Sequence, residues 1–155
     1  MTKPLLSVGM AVFRDYYGVF QTVNDLRMYH KDVMPDVEII IVDNDPNGPH
    51  ADAIMGVVNW LNTAGQANQY VAYSGVTGTS APRNMVFERA RGDFVLCMDS
   101  HVALWPGALS RLIKWHKDTE SHDLITGPML YEDWTFNTHF NDVWQSDMWG
   151  VWGKA

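Results

Sequence analysis

The sequence predicts an α/β fold: a Rossmann-like three-layer α/β/α sandwich around a mostly parallel central sheet. Three observations predict it. Short apolar runs rich in branched residues alternate with apolar stripes at helical spacing, in the order β-α-β-α-β-α-β-α-β. Alternation of that kind implies a parallel sheet with helices on both faces. The segments between runs and stripes are dense in Gly, Pro, Asn and Asp, as turns require.

Leu5 to Phe13 is a near-continuous apolar run, suited to a strand buried on both faces. Val19, Phe20, Val23 and Leu26 mark the first helix, and Pro35 closes that region. VEIIIV at 37–42 is the second strand, favoured by its β-branched residues. DNDPNGPH at 43–50 is a loop. Ile54, Val57, Val58 and Leu61 make the second helical stripe, and QYVAYS at 69–74 the third strand. Thr79 or Ser80 can cap a helix that holds Pro82 in its first turn and runs to about Arg91, with Gly92 as its stop. Residues 93–99 form the fourth strand. A helix opened by Pro106 buries Leu109, Leu112 and Ile113, and Leu124 to Leu130 reads as a fifth strand.

With 155 residues the chain forms one domain with a real core. Hydrophobic and charged fractions of 46% and 19% are those of a globular protein. A net charge of −7 argues against a nucleic-acid binder, which needs a basic surface. An acidic protein that binds a phosphorylated ligand would place a metal between them. The single Cys97 excludes an intrachain disulfide and reads as inert strand packing. The apolar N-terminal stretch ends at Arg14 and Asp15 without a cleavage site, so it is a strand, not a signal peptide. No segment has the length of a membrane span, and a cytoplasmic protein is the default expectation.

In sheets of this class, ligands collect beyond the carboxyl ends of the strands, where strand order reverses. Asp15 follows the first strand, Asp43 and Asn44 end the second, and Asp99 ends the fourth. The fourth run, DFVLCMDSH, puts Asp99 and His101 two apart. In an extended chain both point to one side, so both can reach one ion. Carboxylate plus imidazole suits a borderline cation such as manganese. A turn Asp followed by a surface His fits the spacing equally well.

Asp43 can accept from a base N–H or a ribose hydroxyl, or it can close an Asx turn in its loop. Arg83 and Asn84 stand in the first turn of a helix, where free N–H groups and the dipole favour phosphate. The plain alternative is a surface Arg paired with Glu88. His116 and His122 look structural, while His139 lies in an aromatic tail and could be a ligand or sugar contact. Four of the seven Trp residues (Trp134, Trp144, Trp149, Trp152) follow residue 130, as a sugar platform or as core closure. Neither GxGxxG after the first strand nor GxxxxGK[ST] is present, which removes the main support for dinucleotide oxidoreductases and P-loop NTPases. A G-x-S-x-G elbow is also absent.

LLSVGMAVFRD, EIIIVDND, GTSAPRNMVFERARGDFVLCMDSH and DLITGPMLY, in that order, resemble the GT-A glycosyltransferases of the family-2 type over residues 5 to 131. The Asp-Ser-His form of the metal motif is similar to that of the polypeptide N-acetylgalactosaminyltransferases, whose D-x-H binds manganese. The resemblance implies a UDP-sugar donor of the UDP-GalNAc, UDP-GlcNAc or UDP-Glc type. It implies Mn2+ (or Mg2+) on Asp99 and His101, stabilising the departing diphosphate as a Lewis acid. Asp43 would contact the uracil, with Val12, Phe13 and Arg14 bordering the nucleoside and Arg83 and Ser100 lining the nucleotide site.

Residues 1–104 would then be the nucleotide-binding part of a single GT-A domain, and 105–155 the start of an acceptor-side part that is cut short. Such a chain transfers or slowly hydrolyses the sugar. The alternative is a non-catalytic nucleotide-sugar-binding module or inactive fragment. A related nucleotidyltransferase is disfavoured because FRDYYG is not a Gly-rich basic loop. The acceptor, protein or glycan, and the catalytic base are not legible. Asp133, Asp142 and Asp147 are equal candidates for the base. Exposed aromatics would favour a homodimer by burying apolar surface.

Overall fold

The computed structural model describes residues 3–76, 78–133, 135–144 and 150–154, with 140–144 and 150–154 by backbone alone. The chain divides into two compact units, Met1–Asp118 and Thr119–Ala155.

The first unit holds a four-stranded sheet: β1 (Leu6–Val12), β2 (Val37–Asp43), β3 (Gln69–Ala72) and β4 (Phe94–Met98). Its helices are α1 (Tyr16–Tyr29), α2 (Ala51–Asn62), α3 (Ser80–Arg89) and α4 (Ala108–Thr119). All neighbouring strands are parallel, in the order β3-β2-β1-β4. The chain steps from β1 outward to β3, then returns to the other side of β1 for β4. The switch point of the sheet therefore lies between β1 and β4.

The period of two along each strand sorts side chains onto two faces. Leu6, Val8, Met10 and Val12 of β1 join Val37, Ile39 and Ile41 of β2 in one buried cluster. Val19, Val23 and Leu26 of α1, Ile54, Val57, Val58 and Leu61 of α2, and Leu109 and Ile113 of α4 pack onto it. Ile40 and Val42 point to the opposite face and meet Val86 of α3. Gly9 belongs to that second face. A Cβ there would lie 2.0 Å from a Val86 methyl, so a bare backbone is what lets α3 settle on the sheet. The result is the three-layer α/β/α sandwich.

Boundaries shift modestly. The third helix ends at Arg89, with Ala90 as its C-cap, and the N-cap Thr79 makes no side-chain capping bond. Leu112 is only half-buried beside Leu109 and Ile113.

The predicted fifth strand is corrected. Only Met129–Leu130 is extended, and it joins a separate antiparallel sheet instead of the parallel one. Within 124–130, Gly127 interrupts the run and Pro128 has no N–H to give a ladder. Just before it, Asp123 and Ser121 close a polar turn on themselves. The second unit is a sheet of β5 (Met129–Leu130), β6 (Phe136–Trp144) and β7 (Gly150–Lys154), with β6 and β7 paired antiparallel. Among the described residues, no helix is long and apolar enough to cross a membrane.

Candidate functional site

Four loops gather at the carboxyl edge of the sheet. Asn44 N–H donates to the Val12 carbonyl at 2.8 Å, and the Asn44 amide donates to the Gly78 carbonyl at 3.1 Å. These bonds tie the segments after β1, β2 and β3 together. Val12 is buried, whereas Phe13 and Arg14 are exposed. Arg14 adopts a left-handed φ of 55°, stacks its guanidinium 5.0 Å above the Phe13 ring and pairs with Asp45. A non-glycine residue held in that region carries strain that its surroundings must offset.

Asp43 is 1% exposed. One carboxylate oxygen accepts from Tyr70 Oη at 2.7 Å and the other from the Asp45 N–H at 3.0 Å. The second bond, to the N–H two residues on, is the Asx-type closure of its own loop. Burial and the hydrogen bond to Asp43 push the Tyr70 hydroxyl pKa up.

At the switch point, α1 clamps the Asp-Ser-His segment. Asp15 caps α1 by accepting from the Gly18 N–H at 2.9 Å. Its other oxygen accepts from Ser100 Oγ at 2.8 Å and lies 3.5 Å from His101 Nδ1. Thr22 Oγ1, fully buried one turn further along, donates to the Ser100 carbonyl at 2.8 Å. Gly18 makes room for this: a Cβ there would stand 2.1 Å from Asp15 Oδ2 and 2.7 Å from the Ser100 carbonyl. Partial burial alone would raise the Asp15 pKa. The Gly18 N–H, the Ser100 hydroxyl and His101 outweigh it and hold the carboxyl below its ordinary value.

Asp99 is engaged on its other flank by Arg83 of α3. The alternative partner, Glu88, goes instead to the Asn84 amide at 2.6 Å. The same-side argument for Asp99 and His101 is corrected here. The strand ends at Met98 and the chain turns at Ser100 and His101, so the alternation rule of an extended chain does not apply. Asp99 faces α3 and His101 faces the start of α1. The two side chains are 46% and 68% exposed, in contrast to the buried Ser100 between them.

Among the described residues, no group of three or more His, Cys, Asp or Glu side chains could hold a metal ion by itself. The edge offers one exposed carboxylate and one exposed imidazole. Carboxylate and imidazole are ligand types suited to a borderline divalent cation, and here each is turned toward a different helix.

Elsewhere, His116 stacks on Phe94 at 5.3 Å as a packing residue, and Cys97 is half-buried with its thiol pKa raised by burial. His122 and His139 are exposed. In the second unit, Asp133 is exposed and accepts from both the N–H and the hydroxyl of Thr135. Trp134, Asp147 and Trp149 lie outside the described residues, as do the side chains of Asp142, Trp144 and Trp152.

The sequence places Asp15 at the edge, after a strand, and gives it no role. Its contact with Ser100 spans 85 residues and has no local signature. A sequence signal did exist for the cap, an acid three residues before Gly18 at a helix start.

Solved structures that share this fold include two with a TM-score of 0.60. A mannosyltransferase from Pyrobaculum calidifontis, in complex with GDP-Man and Mn2+, superposes with a TM-score of 0.60 at 17% identity over 75% of this chain. Residues 1–349 of S. aureus TarS superpose with a TM-score of 0.60 at 16% identity over 83% of it. The chain spans 33% and 40% of the lengths of those two proteins. Among curated proteins, none matches it in sequence. The family model described as glycosyl transferase family 2 matches residues 7–151, and the chain, with its GT-A-type sheet and loop-built edge, belongs to that family.

Proposed function

We propose that the chain is the donor-binding part of a metal-dependent glycosyltransferase that takes a UDP-linked hexose or N-acetylhexosamine. One observation carries the reading: Asp99 and His101 stand exposed at the β1/β4 switch point, with Arg83 beside them. An acidic protein of net charge −7 needs cations wherever a diphosphate is to bind. The GDP-Man and Mn2+ held by the Pyrobaculum mannosyltransferase support a nucleotide sugar with a divalent ion as the ligand class.

In this reading Asp99 and His101 hold Mn2+ or Mg2+ as a D-x-H pair once Asp99 gives up Arg83 and turns toward His101. A divalent ion so held supplies Lewis-acid stabilisation of a departing diphosphate. Arg83, at the start of α3, brings a guanidinium to the same point and can engage phosphate in two bonds. Phe13 and Arg14 form the exposed border for the nucleoside above Val12. Asp43, with both oxygens already engaged, meets the uracil by giving up Tyr70 or the loop N–H. Ser100 lines the nucleotide site and also locks the segment by donating to Asp15.

A second reading is donor binding without transfer. Among the candidate bases, Asp133 is exposed and turns one carboxylate oxygen to Thr135.

The test incubates the protein with UDP-sugars and Mn2+ and follows UDP release. Release abolished by Asp99→Ala supports catalysis. Tight, metal-dependent UDP binding by calorimetry with no turnover supports the binding module. Absence of UDP binding with and without Mn2+ defeats both.

A further inference from the structure

Asp15 is the best-connected carboxylate at the site. Its Oδ1 is committed to the Gly18 N–H at 2.9 Å, and its Oδ2 takes the Ser100 hydroxyl at 2.8 Å. The same Oδ2 lies 3.5 Å from His101 Nδ1. Fixed by α1 on one side and by Ser100 on the other, Asp15 cannot swing out without uncapping the helix. The Ser100 backbone is fixed in turn, since Thr22 Oγ1 donates to its carbonyl. Nδ1 of the imidazole therefore lies 3.5 Å from a fixed carboxylate oxygen.

A histidine that binds a metal through one nitrogen commonly gives its other N–H to a carboxylate. That contact sets the tautomer and the ring orientation. We propose that Asp15 is a positioning residue that holds His101 in its Nδ1–H form and so reserves Nε2 for the divalent cation. The inference rests on the reading of His101 as a metal ligand, and it adds the residue that prepares the ligand. The neutral alternative is that Asp15 only caps α1.

Asp15→Asn separates the two. Asparagine caps helices as well as aspartate does, so the start of α1 is preserved. Its single oxygen serves Gly18, and its NH2 group then faces Ser100 and His101. An N–H donor opposite Nδ1 drives the imidazole proton to Nε2, the nitrogen the cation needs.

The experiment uses the full chain in four forms: wild type, Asp15→Asn, His101→Ala and the double variant. UDP binding is measured by calorimetry with and without Mn2+, and 15N NMR of the metal-free protein reads the His101 tautomer. The expected result is Nδ1–H in the wild type, a shift toward Nε2–H in Asp15→Asn, and a loss of about 10- to 100-fold in Mn2+-dependent UDP affinity. In the His101→Ala background, Asp15→Asn adds no further loss.

A wild-type tautomer and affinity in Asp15→Asn overturns the positioning role while the metal reading stands, provided His101→Ala loses its metal dependence. A loss from Asp15→Asn that persists undiminished without His101 also overturns it, since the effect then runs through α1. Unchanged metal dependence in His101→Ala removes the ligand reading, and the inference falls with it.

Discussion

The two edges of the parallel sheet carry charged networks of opposite character. At the amino edge Glu38 is 2% exposed and is saturated with donors. Ser7 Oγ and the Arg91 N–H, each at 2.6 Å, the Arg91 guanidinium and Gln69 Nε2 at 3.1 Å all serve it. Burial alone would raise its pKa, and those donors together hold it below the ordinary value. At the carboxyl edge, Asp99 and His101 each have one partner among the described residues and are about half or more exposed. A completed network holds Arg91 and the start of β4 to the sheet. The incomplete one stands at the switch point, where the proposed donor site lies.

Single deletions should therefore have opposite consequences at the two edges. Arg91→Ala leaves a buried carboxylate short of its cation and should cost about 3 kcal/mol of folding stability in a denaturant titration. Asp99→Ala removes one end of an exposed pair and should cost under about 1 kcal/mol, while abolishing metal-dependent UDP binding. If both variants lose stability equally, the distinction between the edges is wrong.

Gly18→Ala sharpens the comparison on the ligand side. Helix propensity alone predicts a gain of about 1 kcal/mol, because Ala is the better helix former. The crowding of a Cβ against Asp15 Oδ2 and the Ser100 carbonyl predicts overpacking worth about 2 kcal/mol in the other direction. Net destabilisation together with weakened metal-dependent binding is expected from thermal melts and calorimetry. A stabilised variant with intact binding would show that the clamp is loose.

How much of this was legible depended on whether the signal was local. VEIIIV announced a strand buried on both faces because Ile39 and Ile41 serve one core and Ile40 and Val42 the other. The stripes of α1 and α2 were readable because each buries one face. Leu124 and Ile125 looked equally apolar but stay exposed, since the Gly127-Pro128 pair interrupts any ladder. The β6–β7 pairing was hidden because aromatic residues spread along the tail read as core closure. At the site, positions after strands pointed to the edge correctly. Which side chain each would meet was not legible, because Asp15–Ser100 and Arg83–Asp99 are set by strand order.

His30, the C-cap of α1, supplies the smallest and most conditional test. It is 1% exposed, and neither ring nitrogen has a hydrogen-bond partner of good geometry, although the Leu104 backbone lies close enough to act on it. Burial lowers its pKa below the ordinary 6.5, against opposing effects of Leu104 and Asp32. With the folded pKa below the unfolded one, the unfolded chain binds the extra proton first. The neutral imidazole's contribution is therefore present above the unfolded value and lost as pH falls from there toward the folded pKa. Wild type should lose stability from this group as pH falls through that window. His30→Phe should flatten the slope and, by removing two unpaired buried nitrogens, raise stability at pH 5.5. Denaturant titrations of the two proteins at pH 7.5 and 5.5 measure the difference, and equal slopes would mean that His30 finds a partner or water on protonation. Because α1 starts at the carboxyl edge and ends here, a protonation that loosens its last turn should leave the Asp15 clamp and UDP binding unchanged. Binding that weakens in step with stability would instead show that α1 transmits strain between the two edges.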